Sequence, residues 1–395
     1  MRLLIGIAAL FGVAFVFLTP PLQVPDEAAH YWRACAIAHG VFQPTPRFGH
    51  GFAAIPAGER ELGIRGGRPL SEFRSIPYVS ERVVVRYPLF YSPLPFVPPA
   101  LAIVIGDTLH LRPLIAFYLG RLLNLAGALS LIALAFRLFA SPVLATCALL
   151  PMTLFLFASF SSDATTIAMT FLATALALAG SPWIIVASLA LALCKPAYVL
   201  VPLVALASRR RWIAATTLVA VIAGAFLSAS FVKTDLGFLK AGVDSRAQIA
   251  FVSHHPFHVT ATIARDFVQH AGIYATEMVG GLGWLTVSLP MIVTIFVFVT
   301  LVLSSVARVT RAQRLLAIGV AVATIFIIEL SQYIAWTPVG ASIVEGVQGR
   351  YFVPISPLFL IAISRRSFEV RGLPIAMAAA NAVALFALWQ HYFAA

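Results

Sequence analysis

The chain is short of charged residues: Asp, Glu, Lys and Arg make up only 11% of its 395 positions, whereas hydrophobic residues make up 61%. The apolar runs recur along the whole length, and the mean hydropathy of the chain is +0.94. This composition predicts a polytopic α-helical membrane protein. The net charge of +12 therefore does not indicate a nucleic-acid partner. Much of it sits in short loops, where it is typical of a topology signal.

Other patterns are also missing. The apolar runs are continuous rather than alternating, which argues against a transmembrane β-barrel. The three cysteines, Cys35, Cys147 and Cys194, are isolated and provide neither a disulfide framework nor metal-type spacing. The first apolar stretch lacks a small-residue cleavage site before Pro20, so it predicts a retained helix. Since no internal repeat or long linker interrupts the chain, residues 1–395 form one membrane domain with halves at 1–232 and 233–395.

The apolar runs and the arginines together predict a topology with about eleven transmembrane helices. The candidate spans are 3–19, 113–137, 143–160, 164–180, 183–194, 197–207, 213–232, 286–305, 315–333, 351–364 and 373–393. With the N-terminus in the cytoplasm, these spans place the arginine clusters at 209–211, 308–314 and 365–371 inside. Two large outer loops follow, at 20–112 and 233–285.

Two stretches complicate this count. Residues 93–109 are apolar enough to span, but the prolines between 93 and 99 favour juxtamembrane helices in the first outer loop. Spans 183–194 and 197–207 are each too short to cross alone and meet at Lys195-Pro196. A broken helical pair of this kind usually lines a cavity, because freed backbone groups cannot face lipid.

An acidic pair, Asp26-Glu27, lies just past the first predicted span and is the most informative polar feature of the chain. If Pro25 begins a helix, both carboxylates lie in its first turn, and His30 shares their face. The pair has two interpretations. It caps and anchors an interfacial helix, or it provides a general base or metal ligand, since one carboxylate raises the pKa of the other.

Three further residues are candidates at the same outer surface. Asp163 is the only acidic residue between Asp107 and Asp235, and it is either the N-cap of the next helix or a functional carboxylate. Lys195 is either a snorkelling lysine or a phosphate-binding cation. Arg350 stands beside an aromatic pair at a place where positive-inside logic would not put an arginine, which favours anion binding.

The order of these features resembles the GT-C superfamily of membrane glycosyltransferases, which includes protein mannosyltransferases and the aminoarabinose transferases of lipid A. The motifs that carry the resemblance are 24–31, the aromatic–proline stretch that ends at Tyr91, Arg121 with its helix, Asp163, and 193–196. The later motifs at 283–290 and 348–352 resemble an uncharacterised bacterial branch associated with surface polysaccharides. The match covers 1–211 in order and leaves 233–395 as the more variable half.

The resemblance implies a GT-C-like fold and an inverting transfer of a sugar from a polyprenyl-phosphate donor to a glycan, lipid or protein acceptor. The reaction would take place at the outer face of a bacterial inner membrane. Asp26 would be the general base, with Glu27 and Asp163 as further catalytic carboxylates. Substrate- and phosphate-binding roles fall to His30, Tyr91, Lys195, Gln348, Arg350 and Tyr351. No cofactor is certain; a divalent Mg or Mn ion on Asp26 and Asp163 is compatible with the motif.

Two other functions remain open. A transporter or flippase of lipid-linked sugars would place charges near the bilayer midplane. A non-catalytic membrane protein of envelope assembly would have a filled cavity in place of an exposed Asp26.

Overall fold

A computed structural model describes residues 2–42, 48–50, 83–85, 92–231, 240–365 and 372–394. These residues are almost entirely helical. The α-helices in chain order are α1 Arg2–Leu18, α2 Glu27–Ala38, α3 Val97–Thr108, α4 Pro113–Leu138, α5 Pro142–Ala148, α6 Pro151–Phe157, α7 Ser162–Ala179, α8 Ile184–Cys194, α9 Arg211–Ala229, α10 Ser245–His254, α11 Pro256–Gly280, α12 Met291–Leu303, α13 Arg311–Ala335, α14 Ser356–Ala362 and α15 Leu373–Tyr392.

Short 3-10 helices and strands complete the described part. The 3-10 helices are Leu94–Phe96, Pro196–Tyr198, Val201–Ala207 and Gly349–Ile355. Phe48–His50 pairs antiparallel with Val83–Val85, and Gly281–Leu282 pairs antiparallel with Val287–Ser288.

Within the part of the chain that the structure describes, five helices are long and apolar enough to cross a membrane: α4, α7, α9, α13 and α15. Six further apolar helical stretches have 10–17 residues, so the predicted count of eleven spans is not confirmed. Of the five, α7 is the most enclosed, with 89% of its most apolar stretch buried, whereas α15 has 28% buried. Helices α4 and α8 pack along α7, which therefore lies at the centre of the bundle.

The predicted span 143–160 is wrong as a continuous helix, because the structure breaks it into α5 and α6. Pro151 lacks an amide N–H, and Leu150 before it is extended (ψ 137°). Leu149 and Leu150 are fully buried. The Asn381 side chain donates a hydrogen bond to the Leu149 carbonyl (2.8 Å). The irregular backbone is tolerated here because protein, not lipid, surrounds it.

The break at Lys195-Pro196 is confirmed: α8 ends at Cys194 and 3-10 turns follow. The predicted loop 233–285 contains two helices that the apolar pattern did not indicate, α10 and the 25-residue α11. Helix α11 is amphipathic, so it lacks the continuous apolar run by which spans are found.

The arginine-bearing loops gather at one end of the bundle. Arg365 exchanges backbone hydrogen bonds with Ser305 and Ala307, and the Gln313 side chain donates to the carbonyl of Leu178, at the far end of α7. Asp163 lies at the opposite end of this 18-residue helix. At 1.5 Å per residue, α7 separates the two ends by about 27 Å, close to the thickness of a bilayer core.

Candidate functional site

Asp26 stands where the chain turns from α1 into α2. The prediction that Pro25 begins this helix is wrong, because α2 begins at Glu27 and Asp26 is its N-cap residue in the left-handed region (φ 63°, ψ 6°). Its side chain makes no capping hydrogen bond. Instead Oδ2 lies 2.5 Å from Nη2 of Arg350, and about half of the side chain is exposed.

The Asp26 carboxyl is held in its ionised form. Desolvation by the surrounding protein would raise its pKa, but the charges of Arg350 and His30 and the hydrogen bond from Arg350 outweigh this, so that the pKa lies below its usual value. The capping interpretation of the acidic pair therefore does not describe Asp26.

Asp163 lies in the first turn of α7, and the predicted N-cap role is wrong. Ser161 is the N-cap, and its hydroxyl accepts the backbone N–H of Asp163 at 3.1 Å. The Asp163 carboxylate is thus free to contact the Lys195 ammonium through Oδ1, and its Oδ2 lies 3.4 Å from Nη1 of Arg350. The side chain is only 4% exposed.

Lys195 is positioned by the helix break. It adopts an extended conformation (φ −146°, ψ 119°), as expected for a residue that precedes proline. Its ammonium binds Asp163 and lies 5.5 Å from the centre of the Tyr351 ring. The residue is therefore held inside the site rather than snorkelling to the interface.

Arg350 joins the two carboxylates. It is 2% exposed and also donates to the Pro25 carbonyl at 3.1 Å. The preceding Gly349 touches α11 so closely that a Cβ there would lie 2.2 Å from the Tyr274 carbonyl oxygen. Glycine at this position is what lets Arg350 approach the acidic groups.

Asp26, Asp163, Lys195 and Arg350 form what we call the charge cluster. The two negative charges of the carboxylates and the two positive charges of the cations cancel formally. Yet Oδ2 of Asp163 and Nε of Arg350 are buried without a hydrogen bond among the described residues. Buried polar atoms are normally satisfied, so the cluster has capacity for a polar ligand or for water.

The predicted binding residues His30, Gln348 and Tyr351 lie beside the charge cluster. His30 Nε2 is 3.3 Å from the Ser162 hydroxyl, and burial lowers the pKa of its imidazole to about 4. Gln348 has a buried Oε1 without a hydrogen-bond partner among the described residues. The Tyr351 hydroxyl lies 3.4 Å from Arg350 Nη2. Tyr91 lies outside the described residues.

Glu27 points to a different environment from that of Asp26. It is fully buried, and its two oxygens accept bonds from Nε and Nη2 of Arg121 at 2.8 and 2.6 Å. The backbone N–H of Phe160 adds a third bond at 3.1 Å. Arg121, itself fully buried, also donates to the carbonyls of Val16, Thr19 and Pro20. The pair ties together α1, α2 and α4.

The surroundings of Asp26 and Asp163 do not suit the metal ion predicted on these two carboxylates. Both carboxylates are already paired with cations, and the described residues contain no group of three or more His, Cys, Asp or Glu side chains able to hold a metal ion. These residues do not fit a divalent ion while Arg350 and Lys195 are in place.

Two positioning residues were missed by the sequence reading. Tyr198 donates its hydroxyl to the Tyr351 carbonyl (2.8 Å) and so connects the segment after Lys195 to the segment after Arg350. Glu277 accepts the Gly349 N–H at 2.6 Å. Glu277 also lines a cavity of about 120 Å³ with Ile273, Gly280, Leu285, Ser288 and Leu289. Neither residue stands in a motif, and only a contact between distant segments reveals them.

The long apolar helices and a buried charge cluster at one end of the bundle define an α-helical membrane protein with a polar site. Residues 72–359 match the family described as "Predicted membrane protein (DUF2142)", and the chain belongs to this family. The match covers well over half of the chain and includes Asp163, Lys195 and Arg350, while Asp26 precedes it. No curated protein and no solved structure matches the chain.

Proposed function

We propose that this protein is a GT-C-type membrane glycosyltransferase that transfers a sugar, with inversion, from a polyprenyl-phosphate donor to a glycan, lipid or protein acceptor. The observation that carries the proposal is the charge cluster itself. The half-exposed carboxylate of Asp26 contacts a buried arginine whose Nε makes no hydrogen bond with the described residues, and Asp163 links that arginine to Lys195. An acid–base group beside an anion-binding pair is the arrangement that this reaction requires.

Arg350 and Lys195 would bind the phosphate of the donor. Arginine grips phosphate oxygens with two parallel hydrogen bonds, and its buried position strengthens the interaction. Its Nε makes no hydrogen bond with the described residues. When the bond between the sugar and phosphate breaks, the electron pair leaves with the phosphate, and these cations neutralise the charge that develops.

Asp26 would be the general base. It accepts the proton of the acceptor hydroxyl as that oxygen forms a bond to the anomeric carbon on the face opposite the departing phosphate. Its lowered pKa keeps the carboxylate ionised before substrate binds. Once phosphate binds Arg350, part of this counter-charge is withdrawn and the pKa of Asp26 rises toward a value better suited to a base.

The remaining predicted residues take supporting roles. Asp163 holds Lys195 and Arg350 in place, while Gln348, His30 and Tyr351 contribute polar groups at the edge of the donor site. Glu27 is a positioning residue in this proposal rather than a catalytic one, because its oxygens are occupied by Arg121 and Phe160 and the side chain is fully buried.

The proposed location is a bacterial inner membrane, with the N-terminus in the cytoplasm and the site at the periplasmic or extracellular face. Two observations support this orientation. The arginine-bearing loops lie at the end of α7 opposite Asp163, and positive loops favour the cytoplasm. The acidic members of the charge cluster all lie at the other end.

The test uses purified full-length protein, radiolabelled polyprenyl-phosphate sugars and envelope extract as the acceptor source. We expect Asp26→Asn to abolish label transfer while its melting temperature stays near that of the wild type, because half of the side chain is exposed. Glu345→Gln, on a surface pair with Lys240, is the matched control and should retain transfer. Undiminished transfer by folded Asp26→Asn would contradict the role of Asp26.

A second candidate function, transport of a lipid-linked sugar, is favoured by one observation. Glu329 is a fully buried acidic residue inside α13, a helix long enough to span, and intramembrane carboxylates often mark transport pathways. Liposomes that carry a labelled polyprenyl-phosphate sugar, incubated with the envelope extract as the acceptor source, distinguish the two functions. Movement of label between leaflets without any transfer product would support transport and contradict the transferase.

A further inference from the structure

Glu329 belongs to a second polar centre, separate from the charge cluster. It lies on α13, six residues before the end of this helix at Ala335. The side chain is 0% exposed, and neither of its carboxyl oxygens has a hydrogen-bond partner among the described residues. An ionised carboxylate without donors is strongly disfavoured at such a position.

Asp266 on α11 is the acidic neighbour of Glu329. It is 1% exposed, but its oxygens have donors: the Tyr274 hydroxyl at 2.9 Å and the Val344 N–H at 3.2 Å. His270 Nδ1 lies 3.2 Å from Oδ1 of Asp266. The two carboxyls interact unfavourably when both are ionised. The environment therefore stabilises a charge on Asp266 and gives none of this support to Glu329.

The groups that act on the charge of Glu329 are an acidic and a phenolic side chain of α11, although this helix also carries His258, Arg265 and His270. From α11, Asp266 and Tyr274 interact with Glu329 electrostatically. The 3-10 helix Val201–Ala207 and α14 contain no titratable residue.

The other neighbouring elements do contain titratable side chains. Helix α10 carries Arg246 and His254, and the 3-10 helices Pro196–Tyr198 and Gly349–Ile355 carry Tyr198, Arg350 and Tyr351. None of these enters the electrostatic interactions of Glu329. Tyr198 and Arg350 are engaged at the charge cluster.

We infer that Glu329 and Asp266 form a proton-binding site in which Glu329 holds the proton at neutral pH and Asp266 carries the charge. His270 provides the route to the surface. Its side chain is 37% exposed, while the Asp266 side chain that it touches is fully buried. A proton enters from His270 to Asp266 and passes to Glu329, and no other reactant is required.

Infrared spectroscopy of the purified full-length protein in lipid nanodiscs tests this site, because a protonated carboxylic acid has a C=O stretching band that a carboxylate lacks. We expect this band in the wild type at pH 7, in sodium-free buffer and in sodium chloride alike. It should disappear in Glu329→Gln and persist in the control Glu345→Gln. The neutral glutamine has the shape of the protonated acid, so Glu329→Gln should fold.

Three results would overturn the inference. The band could be absent from the wild type, it could survive in Glu329→Gln whether or not Asp266→Asn removes it, or it could vanish on adding sodium, which would make the site a sodium site. Should Glu329→Gln fail to fold, isotope labelling replaces it. The assignment is supported by a band that shifts on labelling glutamate but not on labelling aspartate, and that persists in Glu277→Gln. A band that fails any of these criteria contradicts the assignment.

Discussion

The buried pair of Glu27 and Arg121 should stabilise the protein without taking part in chemistry. Both side chains are 0% exposed. Removing one partner of a buried ion pair typically costs about 3–5 kcal/mol in the free energy of unfolding, because the other charge stays buried. The two possible removals are not equivalent in this structure.

Arg121 has more alternative partners than Glu27. Without Glu27, its guanidinium keeps three carbonyl acceptors and the face of Phe117, 4.8 Å away. Without Arg121, Glu27 keeps only the N–H of Phe160, and three carbonyls at the end of α1 lose their donor. We therefore expect Glu27→Gln to cost about 3 kcal/mol and Arg121→Met about 5 kcal/mol, the two ends of the range for such pairs.

Equilibrium unfolding of the detergent-purified variants measures these differences. The double variant should be less destabilised than the sum of the single ones, with an interaction energy of about 2 kcal/mol, since neither charge is then left alone. The reasoning is refuted if Glu27→Gln destabilises more than Arg121→Met, or if both cost less than about 1 kcal/mol, the value of an exposed pair.

Three further predictions concern residues of the site. Burial lowers the pKa of His30 to about 4, so as the pH falls the unfolded chain binds a proton on this histidine before the folded chain does. The free energy of unfolding should therefore fall by about 3 kcal/mol between pH 6.5 and 4. Thermal melts of His30→Gln should lack this pH-dependent loss of stability. Arg350→Lys should weaken polyprenyl-phosphate binding by about 10- to 100-fold, because lysine cannot make two parallel hydrogen bonds to phosphate. Unchanged affinity, or an equal loss of affinity in the exposed control Arg246→Lys, would argue against phosphate binding by Arg350. Gly349→Ala should lower the melting temperature, because the new Cβ would lie 2.2 Å from a carbonyl oxygen of α11. The control Gly272→Ala should not lower it, because nothing lies within 4 Å of a Cβ at that position. Equal melting temperatures of the two variants would contradict the close approach.

Local chemistry made part of the fold predictable from the sequence. The break at Lys195-Pro196 was visible because proline has no amide donor and restricts the residue before it. The break inside 143–160 was missed although Pro151 gives the same signal, because apolar residues flank it on both sides. The carbonyl freed there is satisfied by Asn381, 232 positions away, and no local pattern indicates such a partner.

The candidate site, like the fold, was predictable from the sequence only in part. Residue type and position in the chain drew attention to Asp26, Asp163, Lys195 and Arg350, and the structure brings these four together. The same reasoning treated Asp26 and Glu27 as one pair, whereas the left-handed conformation of Asp26 sends their side chains to different partners. The role of Glu277 depends on how closely Gly349 approaches α11, and a single sequence does not encode that distance in any motif.

The contact between Asp26 and Arg350 spans 324 positions of the chain, and this has a consequence for biosynthesis. The acidic end of the charge cluster is synthesised and inserted early, whereas its arginine leaves the ribosome only when most of the chain is complete. Until then Asp26 lacks the guanidinium that holds it, and no translation product that ends before Arg350 can assemble the cluster. A chain terminated before this arginine would thus lack part of the charge cluster.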